Sequence, residues 1–301
     1  MTRPLRMDRL AGQHALVDEI PFRLPVASTD TSALMAGFFI DWDRARALLP
    51  GKELHPLRIW KRGMLLVTVV DYRQTSIGNY IEYSIAIACS HGRAPAPRLI
   101  GPLFADAYEI GQFVVDLPVS TEISVKGGKG IWGMPKHQAA LDFKVGEGAI
   151  SSQYDLDGQL ATYVEIENPG KAWAPMQTAG INYCQFRGML MKSFIYFQGK
   201  AAFRLGGRAR GRFVVGDHPR VAALKTLGIE EKPFFTAFIP AAHGSLDDHF
   251  ESWFLTADRP FAETPEGLAS VVDLGQGKDW PPPPKAPVPA SSAGPSSRAR
   301  S

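Results

Sequence analysis

The sequence predicts an α+β chain rich in β structure: a largely antiparallel sheet, closed or folded over a core, with a few helices packed outside it. Three observations carry that prediction. Runs of β-branched and aromatic residues recur along most of the chain. Turn signals built on Gly, Asp and Pro separate them every eight to twelve residues or so, at about the spacing of short antiparallel strands. Only two segments combine a helix-start residue, a helix-forming body and a stop.

The first helix is predicted over residues 41–51, DWDRARALLPG, with Asp41 as N-cap and Pro50-Gly51 as the stop. Strands follow at 64–73 (MLLVTVVDYR), 78–89 (GNYIEYSIAIAC) and 111–120 (GQFVVDLPVS). Residues 126–130, KGGKG, lack the spacing and Lys-Ser/Thr ending of a phosphate loop and read as a flexible turn. Residues 139–167 read as three short strands joined at Gly146-Glu147-Gly148 and Asp157-Gly158. Further strands are expected at 193–205 and 211–217. A second helix is expected at 217–229, with Pro219 in its first turn and Gly228 at its end. His243, Asp247, Asp248 and His249 match no standard metal-ligand spacing and are read as a polar loop, so no metal is expected.

Composition narrows the function classes. The chain has 301 residues, 45% hydrophobic and 21% charged, with a formal charge of +3. This suits one domain over residues 1–278, followed by a disordered Pro/Ser/Ala-rich tail at 279–301 that cannot bury enough apolar surface to offset its ordering entropy. A charge this small, with no dense Lys/Arg run among aromatics, leaves no nucleic-acid footprint. No apolar run approaches the ~18–20 residues of a membrane span, and the N-terminal residues have no signal-peptide core. The two cysteines, Cys89 and Cys184, are expected as lone thiols, and the expected location is the cytoplasm.

One strand and one lysine stand out. In residues 78–89, alternation places Ile81, Tyr83, Ile85 and Ile87 on one face and Tyr80, Glu82, Ser84, Ala86 and Ala88 on the other. A carboxylate beside a phenol and a row of small residues suits either a cavity wall or a solvent-facing side. In GIWGMPKHQAALDF (130–143), Lys136 follows Ile131, Trp132, Met134 and Pro135, an apolar setting for a cation. The same parity puts Lys136 and Gln138 on one face and His137 on the other, where it is expected to pack as a core residue. An ordinary lysine, with a pKa near 10.4, is neutral in about one molecule in 2,500 at pH 7. An apolar pocket disfavours the ammonium, so these neighbours are suitable material around an amine nucleophile. Lysines in such settings also snorkel to water, and the residues alone leave both readings open.

The segment IWGMPKH, with GNYIEYS upstream and DWDRARALLP before that, resembles the acetoacetate decarboxylase family over roughly residues 30–255. The resemblance implies a cone-like β-barrel with peripheral helices, homo-oligomeric assembly, and a lysine that forms a Schiff base with a β-keto acid without metal or organic cofactor. Lys136 matches the Schiff-base lysine and Glu82 an active-site carboxylate. Tyr80, Trp132, Met134 and Gln138 are the candidate substrate-binding residues. Amine nucleophiles of this type, acetoacetate decarboxylase included, are activated by desolvation or by a neighbouring cation. The chain departs from the family pattern where it has His137 after the lysine, Gly130 before it, Leu65 near a glutamate position with nothing acidic until Asp71, and Thr31 near an arginine position; Arg23 is not a clear substitute. Three readings follow: decarboxylation of acetoacetate or a related short keto acid, aldol or dehydration chemistry on another keto acid, and a non-enzymatic carbonyl-binding barrel.

Overall fold

A computed structural model describes residues 13–97 and 108–258. The tail predicted at 279–301 lies outside the described residues. In chain order the strands are β1 (Gln13–Val17), β2 (Ile20–Leu24), β3 (Val26–Asp41), β4 (Leu54–Pro56), β5 (Arg62–Thr75), β6 (Tyr80–His91), β7 (Gly111–Val119) and β8 (Lys136–Gln138). They continue with β9 (Ala140–Leu141), β10 (Lys144–Val145), β11 (Ala149–Leu156), β12 (Gln159–Glu167), β13 (Ala174–Phe186), β14 (Met189–Leu205), β15 (Gly211–Val215) and β16 (Phe235–Phe254). The helices are α1 (Trp42–Leu48), α2 (Glu122–Trp132) and α3 (Ala222–Lys225).

Seven strands, in the order β6-β5-β3-β16-β14-β13-β7, form a ring that closes through the pairing of β6 with β7. All ring pairings are antiparallel except β13 with β7. Closure leaves no free edge within the ring itself. Two short strands extend it, β4 on β6 and, in parallel, β8 on β7. A second sheet, β10-β11-β12-β15 with β9 on β11, is antiparallel throughout.

The alternation read in β6 explains how the two sheets meet. Tyr83, Ile85 and Ile87 are fully buried in the main core with Tyr154, Val164 and Ile166 of the second sheet. The Tyr83 and Tyr154 rings lie 5.9 Å apart. Each such side chain contributes about 1.5–3 kcal/mol on burial. The opposite face of β6 carries Tyr80, Glu82 and Ser84 and lines a cavity inside the ring. The expected β-rich α+β architecture therefore holds, although the ring's outer face is covered here by a sheet as well as by short helices.

The first predicted helix forms as α1, while the second, expected over 217–229, is reduced to a 3₁₀ turn at Pro219–Val221 and the four-residue α3. Asp41 accepts a hydrogen bond from the Arg44 amide at the start of α1, and Gly51, just beyond its end, has φ +68°. Pro219 opens a 3₁₀ turn that leads into α3. The hairpin predicted at Asp157-Gly158 also forms, with both residues at positive φ between β11 and β12. Two expectations fail. Residues 126–130 belong to α2, not to a flexible turn, and residues 243–249 lie within β16, not in a polar loop. Among the described residues there is no metal-binding cluster of His, Cys, Asp and Glu, and no helix is long and apolar enough to cross a membrane. Cys89 and Cys184 are buried free thiols, and burial pushes the Cys184 thiol up to about 12.

Candidate active site

The cavity within the ring has a volume of about 330 Å³. Lys136, the first residue of β8, reaches its wall because β8 runs parallel to β7 with Lys136 opposite Leu117. Its side chain is 4% exposed, and Nζ lies 2.7 Å from Glu82 Oε2 and donates to Ser124 Oγ at 3.0 Å. Nζ also sits 5.4 Å over the Tyr80 ring. A charge taken this far from water is costly unless it is paired and hydrogen-bonded, and here both conditions are met. The lysine and the glutamate, 54 residues apart in sequence, thus become one ion pair.

Helix α2 makes room for the lysine stem. A Cβ on Gly128 would stand 2.7 Å from Lys136 Cε and closer still to Cδ, while one on Gly127 would stand 2.7 Å from the Phe22 ring. Two adjacent glycines each cost a helix about 1 kcal/mol relative to alanine. They are tolerated because the stem of Lys136 and the ring of Phe22 lie directly against the helix backbone. Gly133 ends α2 in the left-handed region, with its amide bonded to the Lys129 carbonyl.

The phenols of Tyr72 and Tyr80 stack with centroids 4.6 Å apart, and both line the cavity. Burial, reinforced by the nearby charge of Glu82, pushes both well above the ordinary tyrosine value, so both stay protonated as hydrogen-bond donors. Trp132 and Met134 are buried and lie in the wall, as expected of pocket residues. Gln138 does not: it is exposed, its amide pointing toward the Ser120 carbonyl at 3.4 Å, outside the cavity lining. Lys136 and Gln138 both lie in the three-residue strand β8 and both pair with β7, yet only Lys136 reaches the cavity.

His137 faces away from the cavity, as parity predicts. Its Nε2 is 2.9 Å from the Tyr154 hydroxyl, and its Nδ1 is 3.5 Å from Asp116, too long for a hydrogen bond. Burial, with the Arg220 charge behind it, pushes the imidazole down to about 3, so it is neutral at physiological pH. Asp116, itself buried, is bonded by Arg220 Nε at 2.9 Å.

The positions that depart from the family pattern also fall into place. Thr31 lines the cavity and hydrogen-bonds Ser28, so its position is at the site although its cation is not. Leu65 is buried in the core outside the ring, Gly130 and Arg23 are exposed, and Asp71 is not in the lining. Among the described residues, Lys136 and Glu82 are the only lysine, arginine, aspartate or glutamate in the cavity wall, and each is the other's counter-charge.

Sequence reasoning missed Ser124, Tyr72 and a bonded amide pair, Gln112 Nε2 to Asn182 Oδ1 at 2.7 Å, all in the cavity wall. A signal for Ser124 was present. Ser124, Gly127, Gly128 and Trp132 recur at helical spacing, but the glycines masked the helix. Gln112 and Asn182 meet through a parallel pairing between distant strands, which no local pattern encodes.

Comparison with known proteins agrees with this architecture. The structure of acetoacetate decarboxylase from Legionella pneumophila subsp. pneumophila str. Philadelphia 1 is similar, with TM-score 0.57 and 13% identity over 74% of this chain and 85% of that one. A second acetoacetate decarboxylase structure gives TM-score 0.55 and 15% identity over 78% and 91%. The enduracididine biosynthesis enzyme MppR, complexed with the condensation product of pyruvate and imidazole 4-carboxaldehyde, gives 0.51 and 13% over 76% and 89%. At such identities these likenesses speak for the fold. No curated protein matches the sequence. The family model for acetoacetate decarboxylase (ADC) matches residues 10–182, a span that includes both Glu82 and Lys136, and the chain belongs to the acetoacetate decarboxylase family.

Proposed function

We propose that this chain is a lyase that binds a β-keto acid to Lys136 as a Schiff base and releases carbon dioxide. The observation that carries the proposal is the buried Lys136–Glu82 pair, 2.7 Å apart in a mainly apolar cavity. The Glu82 carboxylate takes a proton from the Lys136 ammonium, and the free amine adds to the ketone carbon. Glu82 returns that proton to the carbinolamine hydroxyl, and water leaves to give the iminium. The bond to the substrate carboxylate then breaks. Its electron pair forms the enamine double bond while the iminium π pair moves onto nitrogen. A proton from solvent adds to the enamine carbon, with Tyr80 or Glu82 placed to relay it, and water hydrolyses the resulting iminium to free the ketone and Lys136.

This step does not require the missing arginine. With no second cation in the wall, the substrate carboxylate has the iminium as its counter-charge, and both charges vanish as carbon dioxide forms. A low dielectric favours that loss of charge. A second reading keeps the iminium and uses the enamine for aldol or dehydration chemistry. Support for it comes from the same missing arginine and from the condensation product held by the structurally similar MppR. A non-enzymatic binding barrel, the third reading, leaves the buried Lys136–Glu82 pair without a purpose.

Borohydride trapping separates the three. The protein is incubated with keto acids, reduced, and searched by mass for an adduct on Lys136, with carbon dioxide measured in parallel. Adduct plus carbon dioxide is the expected result. Adduct without carbon dioxide selects the second reading, and no adduct in folded protein sinks both enzymatic readings.

A further inference from the structure

We infer that the natural substrate is a medium-chain 3-oxo acid whose ketone carries an extended apolar substituent, not acetoacetate. The inference rests on the Schiff-base reading of Lys136 and adds the shape of the rest of the cavity to it. The Lys136 end of the cavity is set by Leu117, its partner on β7. Further back along the same strand, Val114 and Gln112 also line the cavity. A register shift between β6 and β7 at Ile85/Ala86 places the extra residue of β7 near Val115. That bulge lets Leu117 face inward with Val114 and Gln112 despite the odd spacing. From Leu117 to Gln112 the strand covers roughly 16 Å at ~3.3 Å per residue. The cavity is therefore longer than a four-carbon acid needs.

Volume agrees. At ~30 Å³ per water-sized group, about 330 Å³ holds about eleven such groups. Acetoacetate, with four carbons and three oxygens, leaves the remainder empty. The walls beyond the ion pair are mainly apolar, including Val70, Val114, Ile181, Ile195, Phe197 and Ile239. An alkyl tail is the chemistry that surface would select. The bonded Gln112–Asn182 amide pair lies in the same wall, along β7 from Leu117.

The test is a chain-length series with wild-type protein: acetoacetate, 3-oxohexanoate, 3-oxooctanoate, 3-oxodecanoate and 3-oxohexadecanoate. The readouts are kcat/KM for carbon dioxide release above the spontaneous rate, and borohydride adducts on Lys136. At about fourfold per buried methylene, kcat/KM should rise about a hundredfold or more from acetoacetate to 3-oxooctanoate, then fall for the longest acid. Calorimetric binding of methyl ketones from acetone to 2-nonanone should tighten in parallel, and this arm needs no Schiff base. A kcat/KM or affinity that is flat, or highest for the shortest member, overturns the inference; if Lys136 is still trapped, the Schiff-base reading stands. Ketone affinity that rises with length while no keto acid is trapped leaves the size preference standing and sinks the Schiff base. In Val114→Phe, with folding checked by thermal melting, the optimum should move to shorter chains. An unmoved optimum in folded variant protein also counts against the inference.

Discussion

Gly128→Ala tests whether the glycine of α2 exists to seat the Lys136 amine. The added Cβ would lie 2.7 Å from Lys136 Cε, whereas ordinary contact begins at 3.4–4 Å, so the stem must retreat by about 1 Å. A displacement of that size at a reacting group costs on the order of 10²-fold in rate. Stability should change far less. Overpacking costs about 1–3 kcal/mol, and the helix regains about 1 kcal/mol from replacing glycine. A net loss near 1 kcal/mol would lower Tm by about 2–4 °C in a domain of this size. The assay is the rate of borohydride-trapped adduct on Lys136, with thermal melting alongside. Gly127→Ala is the control, because its Cβ would meet the Phe22 ring and not the lysine. It should cost similar stability with a much smaller effect on trapping. Wild-type trapping in Gly128→Ala, or equal losses in both variants, would refute the reasoning.

Two further outcomes follow from the same geometry. Glu82→Gln removes the counter-ion of a buried ammonium and should destabilise the fold by about 3 kcal/mol in urea titrations while cutting carbon dioxide release at least about 100-fold; an unchanged rate would remove Glu82 from the chemistry. His137 is held neutral down to about pH 3, whereas in the unfolded chain it takes up a proton near 6.5. The unfolded state therefore binds the extra proton between those values. Wild-type stability should fall with a contribution of about 1.4 kcal/mol per pH unit as pH drops below 6.5. His137→Gln should flatten that limb in denaturation curves across pH 4–7, and parallel limbs in the two proteins would contradict the assignment.

The strands and their faces were legible because each depends on a period of two over a few residues. That Tyr80, Glu82 and Ser84 share one face and Tyr83, Ile85 and Ile87 the other follows from alternation in β6 alone, whereas which face lines the cavity does not. The opposed directions of Lys136 and His137 follow the same way. Parity alone did not settle Gln138, which shares strand β8 with Lys136 but is exposed and lies outside the cavity lining. Helix α2 was misread because adjacent glycines argue locally against a helix, while the reason for them, the stem of Lys136 and the ring of Phe22, comes from segments before and after it.

By itself, then, the sequence determined the β-rich class, the helix caps, most strand positions and the identity of the lysine and glutamate. Closure of the ring belongs to the tertiary structure, since the β6–β7 and β7–β13 pairings join segments that no local period relates. So does the 2.7 Å approach of Lys136 to Glu82, and so does the length of the cavity behind them. A short-range pattern records which way a side chain points from its own strand. What it meets there depends on the strands that arrive from elsewhere in the chain.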